Sequence, residues 1–115
     1  MKKIALFVFN GDPMCFIHVL LNALDMKAAG VEGRIVIEGA ATKLIPQLAD
    51  AGNPLHVLWE KTKTARLIDG VCKACSQKMG TLEASKAQGL TPLDDMNGHP
   101  GMARYLSEGF DIISF

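Results

Sequence analysis

Residues 4–13 read Ile4-Ala5-Leu6-Phe7-Val8-Phe9-Asn10-Gly11-Asp12-Pro13, six apolar residues followed by four that favour a turn. A continuous apolar run of this length predicts a strand that is buried on both faces of a sheet. Residues 14–29 then show helical periodicity, with Asp12 or Pro13 as the expected start of the helix and Gly30 at its end. Residues 31–37 end in a second short strand. The opening unit is therefore β-α-β, which requires parallel strands and a right-handed crossover. The apolar face expected for the helix consists of Ile17, Leu20, Leu21, Leu24 and Ala28.

The same alternation continues to the end of the chain. Helices are predicted over residues 42–51, 54–66, 72–88 and 101–108, strands over residues 67–71 and 110–115, and a loop over residues 91–100. Strands that alternate with helices predict a mainly parallel sheet with helices on both faces. The expected fold class is thus α/β, a three-layer sandwich around a sheet of four or five strands. At 115 residues the chain has the length of a single domain, residues 1–115.

The composition excludes several classes of function. Twelve basic residues balance twelve acidic ones, so nothing supports a nucleic-acid partner. No apolar run approaches the roughly 20 residues that a membrane span needs. The apolar part of the amino terminus is too short for a signal peptide and has no small-residue cleavage site. We therefore expect a cytoplasmic protein that makes no membrane contact.

The chemistry is predicted in one cysteine-containing stretch, Gly70-Val71-Cys72-Lys73-Ala74-Cys75-Ser76-Gln77-Lys78-Met79-Gly80. Cys72 falls where a predicted strand passes into a helix, and open α/β sheets place their active sites at such junctions. The helix amino terminus and Lys73 are expected to bind the thiolate and lower the pKa of Cys72. Its sulfur is expected to be open to water. Cys75, one helical turn further on, is the second candidate catalytic thiol.

Other interpretations of the two thiols remain open at this stage. Free cysteines are often small buried residues with no chemical role. A structural zinc site needs four ligands, and a single C-x-x-C pair would require His56 and His99 to complete it. We therefore expect no metal and no cofactor. The third cysteine, Cys15, is most simply a buried helix residue.

Three further residues are predicted to border the thiols as binding residues. Asn10 and Gly11 leave the carboxyl end of the first strand, which is the edge of the sheet where Cys72 is expected. His99 lies in the loop before the last helix and is a candidate proton acceptor for a thiol. An ordinary loop role for His99 is the alternative.

Taken together, these stretches resemble the DsrE/DsrF-like family of small sulfur-relay proteins. The resemblance extends over nearly the whole chain. It rests on the opening strand with its Asn10-Gly11 loop, the Gly39-Ala40-Ala41 step, the cysteine stretch ending at Gly80, and the closing Gly109-Phe110-Asp111 strand. It implies a flavodoxin-like sandwich and a homo-oligomer.

The resemblance also implies a function. A cysteine after a central strand would accept a persulfide from a donor protein and pass it to an acceptor protein. Cys72, eight residues before Gly80, matches that cysteine, and Cys75 is an additional thiol. Whether such a carrier counts as an enzyme is left open. The alternative is a non-catalytic oligomeric binding or scaffold protein with the same fold.

Overall fold

The structure, a computed structural model, describes all residues 1–115. Its strands are β1 (Lys3–Val8), β2 (Glu32–Ile37), β3 (Ile68–Cys72), β4 (Pro92–Leu93) and β5 (Asp111–Ser114). Its α-helices are α1 (Pro13–Ala28), α2 (Ile45–Leu48), α3 (His56–Thr64), α4 (Lys73–Met79), α5 (Leu82–Ala87) and α6 (Met102–Ser107), and a 3-10 helix spans Gly39–Leu44. None of these helices combines the length and the apolar character that crossing a bilayer requires.

The five strands form one sheet in the order β4-β3-β2-β1-β5, and every neighbouring pair is parallel. The predicted α/β three-layer sandwich is confirmed, with five strands. β1 lies inside the sheet, where Leu6 is opposite Ile35 of β2 and Ile113 of β5. Along the chain, β2, β3 and β4 are added in turn on one side of β1, and β5 is then added on its other side. The carboxyl ends of all five strands consequently share one edge.

Alternate residues of β1 supply two separate cores, because successive side chains of a strand point to opposite faces. Ile4, Leu6 and Val8 join the larger core under α1 and α3. Ala5 and Phe7 join the smaller core on the other face. That smaller core is covered by α6, whose Tyr105 ring packs edge-on against Phe7 with centroids 5.4 Å apart. Residues 4–8 of the apolar run are therefore buried on both faces, as predicted, whereas Phe9 lies beyond β1 and is exposed.

The ends of α1 agree with the sequence prediction, but its buried face does not. Asp12 caps the helix by accepting a hydrogen bond from the Met14 N–H at 2.8 Å, and Gly30 follows its end with φ +80°. The predicted inward residues Leu21 and Ala28 are exposed. Of the other predicted residues, Leu20 is fully buried and Ile17 and Leu24 are half-buried. Phe16, Val19 and Ala23 are fully buried and were not predicted.

The rotation of α1 has a packing cause. Much of its circumference is apolar, so two neighbouring stripes fit the helical period equally well. The stripe that contains Phe16 faces the core because this ring packs against Trp59 of α3, with centroids 6.0 Å apart. The choice between the stripes depends on a contact between distant parts of the chain.

Three predicted elements also need correction. The helix predicted over residues 72–88 is two helices, because Gly80 adopts a left-handed conformation with φ +72° and ends α4. The helix predicted over residues 42–51 is a 3-10 helix followed by the four-residue α2. The predicted loop over residues 91–100 contains β4, whose Pro92 and Leu93 pair with Val71 and Cys72.

Gly70 allows β4 to pack closely against β3, which gives a direct test of this edge of the sheet. A Cβ atom at residue 70 would lie 2.3 Å from the Thr91 carbonyl oxygen and 2.7 Å from Leu93 Cγ. We expect Gly70→Ala to lower the free energy of unfolding by about 3 kcal/mol, the upper end of typical overpacking costs. Gly52→Ala is the matched control, because Gly52 is exposed and an added Cβ would meet only Asp50 Oδ1, at an ordinary contact distance of 3.5 Å. Urea denaturation measures both; equal stability of the two variants would contradict this packing.

Candidate thiol site

Cys72 lies at the junction of β3 and α4, as predicted. It is both the last residue of β3 and the N-cap of α4, with an extended backbone (φ −61°, ψ 120°). Its sulfur accepts a hydrogen bond from the backbone N–H of Cys75 at 3.4 Å. The two cysteines are therefore held together by the backbone of the first turn of α4.

A tight turn brings His99 over the same junction. Met96 and His99 exchange two backbone hydrogen bonds, at 2.7 and 2.9 Å, across Asn97 and Gly98. Both central residues have positive φ, +50° and +85°, the backbone geometry for which Asn-Gly pairs are favoured. The Gly98 carbonyl then accepts a hydrogen bond from the N–H of Ala74 at 2.8 Å, which fastens the turn to the start of α4.

The result is a compact group of two thiols and one imidazole. His99 Nδ1 lies 3.0 Å from Cys72 Sγ and 3.7 Å from Cys75 Sγ. All three atoms lie within 4.8 Å of one another. The structure thus brings together three of the predicted site residues from two separate parts of the chain. A shared imidazole nitrogen gives both thiols the same proton partner.

The predicted exposure of Cys72 was wrong. Its side chain has no accessible surface, whereas Cys75 and His99 are half-buried. The turn at Asn97-Gly98 covers Cys72, and the Gly98 carbonyl lies 3.8 Å from its sulfur. A reagent that approaches from solvent reaches Cys75 before Cys72.

The predicted lowering of the pKa of Cys72 was also wrong. Burial of the sulfur raises the pKa of Cys72 to about 12, and the Cys75 N–H opposes that rise only in part. The neighbouring Cys75 thiol and the Glu38 carboxylate raise it further. Lys73 gives no direct support, because its ammonium group pairs with Asp94 at 3.7 Å. At neutral pH Cys72 is therefore a thiol rather than a thiolate.

Glu38 belongs to the site and was missed by the sequence analysis. It directly follows β2, is buried, and interacts with the Cys72 side chain. Burial raises the pKa of Glu38 to about 7, although the interaction with Cys72 acts in the opposite direction. The missed signal was its position: an acidic residue at the carboxyl end of a buried strand, next to the strand that carries the thiol.

An apolar cavity of about 580 Å³ opens beside the group. Glu38 and His99 form its polar side. Its other walls are Phe9, Met96, Pro100, Met102 and Ala103. A separate cavity of about 380 Å³, lined by residues such as Gly33 and Arg66, lies at the amino-terminal edge of the sheet, away from the thiols. Of these two cavities, the first borders the site, through Glu38 and His99.

The remaining predicted residues lie outside the group. Asn10 uses its side-chain oxygen to accept the Asp12 N–H at 2.8 Å. Gly11 packs against Ala40, where a Cβ atom would lie 2.8 Å from the carbonyl oxygen. Cys15 is a half-buried residue of α1 and is free, as are Cys72 and Cys75. These residues shape the same edge without touching the thiols.

Fold and site together describe a parallel α/β protein with a Cys-Cys-His group at the carboxyl edge of its sheet. No protein-family model matches the chain. Its sequence is 33% identical over 96 residues to the uncharacterised protein MJ0733 of Methanocaldococcus jannaschii, covering 84% of this chain and 76% of that protein. The chain belongs to the family of MJ0733. The resemblance to DsrE/DsrF-like proteins stays a prediction.

Two other proteins extend the comparison. An uncharacterised protein of Archaeoglobus fulgidus is 44% identical over 41 residues, which cover 36% of this chain and 67% of that protein. The solved structure of BT1422, a conserved protein of unknown function from Bacteroides thetaiotaomicron, superposes with a TM-score of 0.73. That likeness covers 99% of this chain and 95% of the other at 19% identity, so it shows a shared fold.

The burial of Cys72 predicts a large difference in thiol reactivity. In native protein at neutral pH, we expect iodoacetamide to modify Cys75 at least about tenfold faster than Cys72, because Cys72 must wait for local opening. In denaturant all three cysteines should react. Peptide mass mapping after timed quenching measures each site. Equal native rates at Cys72 and Cys75 would show that the turn does not cover Cys72.

The raised pKa of Glu38 predicts a pH-dependent effect of its substitution. Between pH 4.5 and about 7 the folded protein holds the Glu38 proton more tightly than the unfolded chain, so this group contributes less stability as the pH rises. Glutamine does not ionise, so Glu38→Gln lacks this pH-dependent loss of stability. We therefore expect the free energy of unfolding of the variant, relative to that of wild type, to rise from pH 4.5 to pH 8.

The measurement is urea denaturation of metal-free, reduced protein across this range. Glu83→Gln, on the exposed side of α5, is the matched control. A stability difference between Glu38→Gln and wild type that is the same at every pH would contradict the assignment.

Proposed function

We propose that the protein is a sulfur-carrier or thiol-exchange protein that works through Cys72, Cys75 and His99. The observation that carries the proposal is the position of one imidazole nitrogen, His99 Nδ1, against both sulfurs. A histidine in this position takes a proton from a thiol as it attacks and returns it to the leaving group. Neither sulfur of this pair is committed to a disulfide.

Cys75 is the thiol that meets the donor, because it is half-buried while Cys72 is covered. His99 Nδ1 takes the proton of Cys75, and the sulfur attacks the outer sulfur of a donor persulfide, R–S–SH. An S–S bond to Cys75 forms as the donor S–S bond breaks. The donor leaves as R–SH after it receives the proton from His99, and Cys75 carries the persulfide.

Cys72 provides a second, internal step. Its sulfur attacks the inner sulfur of the Cys75 persulfide, forms the Cys72–Cys75 disulfide, and releases the outer sulfur as H₂S. An external dithiol then reduces the disulfide, supplying two electrons and two protons. When an acceptor thiol arrives first, the outer sulfur passes to that acceptor and no disulfide forms. This order reverses the roles that the sequence predicts, since the buried thiol becomes the resolving one.

The surroundings of the site support protein partners as donor and acceptor. The side chains around the cavity mouth include three exposed apolar ones, Phe9, Met96 and Met102. Exposed apolar residues around a polar site are typical of protein-binding surfaces. A homo-oligomer is part of the same proposal. The cytoplasm suits this chemistry, because its reductants keep thiols free.

The central experiment offers inorganic polysulfide to the reduced, metal-free protein and follows the intact mass. A persulfide adds one sulfur atom, about 32 Da. We expect the gain in wild type, where Cys72 then removes it slowly, and a lasting gain in Cys72→Ser, which lacks the resolving thiol. Cys75→Ser should not gain sulfur, and His99→Gln should gain it about a hundredfold more slowly, the scale of general-base catalysis.

Cys15→Ser is the matched control and should behave as wild type. Circular dichroism shows that each variant is folded. A mass gain located at Cys15, or none in any folded variant, would refute the carrier and favour the alternative of a non-catalytic binding or scaffold protein.

A further inference from the structure

The same three side chains have the composition and arrangement of a metal site. Two thiol sulfurs and an imidazole nitrogen converge from the C-x-x-C junction and the turn at His99. We propose that Cys72, Cys75 and His99 bind one Zn²⁺ ion, with a ligand from solvent completing the coordination. Nothing in the sequence pattern alone requires this site, because the third ligand lies 24 residues beyond the second.

The distances support the proposal. Zinc binds sulfur at about 2.3 Å and imidazole nitrogen at about 2.0–2.1 Å in a tetrahedral arrangement, so neighbouring donor atoms lie roughly 3.4–3.8 Å apart. Here Cys75 Sγ lies 3.7 Å from His99 Nδ1, Cys72 Sγ lies 3.0 Å from it, and no pair exceeds 4.8 Å. Movements of an ångström or less bring all three donors onto one ion.

The backbone already holds the donors in this arrangement. The Cys75 N–H bond to Cys72 Sγ fixes the relative position of the two cysteines. The Ala74 N–H bond to the Gly98 carbonyl fixes the turn that carries His99. Binding therefore requires little reorganisation of the chain, and pre-organised donors bind more tightly than flexible ones.

The donor types determine the class of metal. Calcium and magnesium select oxygen ligands, whereas two sulfurs and one imidazole suit zinc. Three protein donors are one fewer than a closed structural zinc site has, and sites of this kind keep a position for an outside ligand. The cavity that His99 and Glu38 line lies beside this group and opens to solvent.

Zinc binding has a consequence for the thiols. Both must lose their protons to coordinate the ion, and zinc supplies the positive charge that the buried sulfurs lack. Coordinated thiols are unavailable to a persulfide, so zinc would suppress sulfur uptake. This regulatory consequence rests on the proposed function, whereas the zinc site itself does not.

The experiment titrates reduced, chelator-treated protein with Zn²⁺ against a chromophoric chelator, and in parallel with Co²⁺ as a spectroscopic substitute. We expect one ion per chain and a sulfur-to-cobalt charge-transfer band. Loss of a residue that only supports a metal ligand weakens metal binding by up to roughly 100-fold. Cys75→Ser and His99→Gln each remove a ligand and should weaken zinc binding by more than this. Cys15→Ser and His18→Gln are the matched controls, a thiol and an imidazole outside the group, and should bind as wild type.

Absence of the charge-transfer band, or zinc affinity unchanged in both Cys75→Ser and His99→Gln, would overturn the site. Circular dichroism of the metal-free variants checks their fold. His99→Gln keeps both thiols, so a cobalt band that persists in this variant shows a weakened site rather than an unfolded chain. The sulfur-uptake experiment uses metal-free protein, so either proposal can fail while the other stands.

Discussion

The contact between Cys72 Sγ and His99 Nδ1, 3.0 Å long, is the interaction on which the site depends. It joins the end of a central strand to a residue 27 positions later in the chain. The parallel sheet places the end of β3 at the shared carboxyl edge, and the turn at Asn97-Gly98 folds back over that edge. Without the two positive φ angles of this turn, His99 would not lie over the thiols.

Burial governs the chemistry of this site more than helix polarity does. Removing charge from water is costly, and this cost raises the pKa values of both Cys72 and Glu38. The resting state is therefore a neutral thiol beside a carboxyl group that is close to half protonated at pH 7. The Cys72 sulfur therefore needs a group that accepts its proton or supplies positive charge before it reacts. His99 can accept the proton, and a bound cation would supply the charge.

Most of the architecture follows from local sequence patterns. The apolar run of β1, the Asp12 cap and the glycine after α1 predict a β-α-β unit because each acts through neighbouring residues. The helix break at Gly80 is a local feature that the prediction overlooked. Other errors occur where distant contacts decide the outcome. Phe16 faces inward because Trp59 lies opposite it, and Pro92 and Leu93 form β4 only because Gly70 leaves room beside β3.

In the candidate site too, some features follow from local sequence and others depend on distant contacts. The position of Cys72 at a strand-to-helix junction is readable from residues 67–76 alone. Its burial is not, because the covering turn comes from residues 96–99. Glu38 was missed for a related reason: its role depends on the pairing of β2 with β3, which places two strand ends side by side. The Asn97-Gly98 pair was the local signal for the turn, but its docking on Ala74 is a tertiary contact.

The most direct test of this account is the nitrogen chemical shift of His99 Nδ1, measured by NMR in reduced, metal-free protein. The account predicts that Cys72→Ala shifts this resonance strongly and that Cys75→Ala shifts it less, in line with the 3.0 and 3.7 Å distances. Cys15→Ala should leave it unchanged. An Nδ1 resonance that is the same in wild type and Cys72→Ala would contradict the pairing of thiol and imidazole, and with it the site.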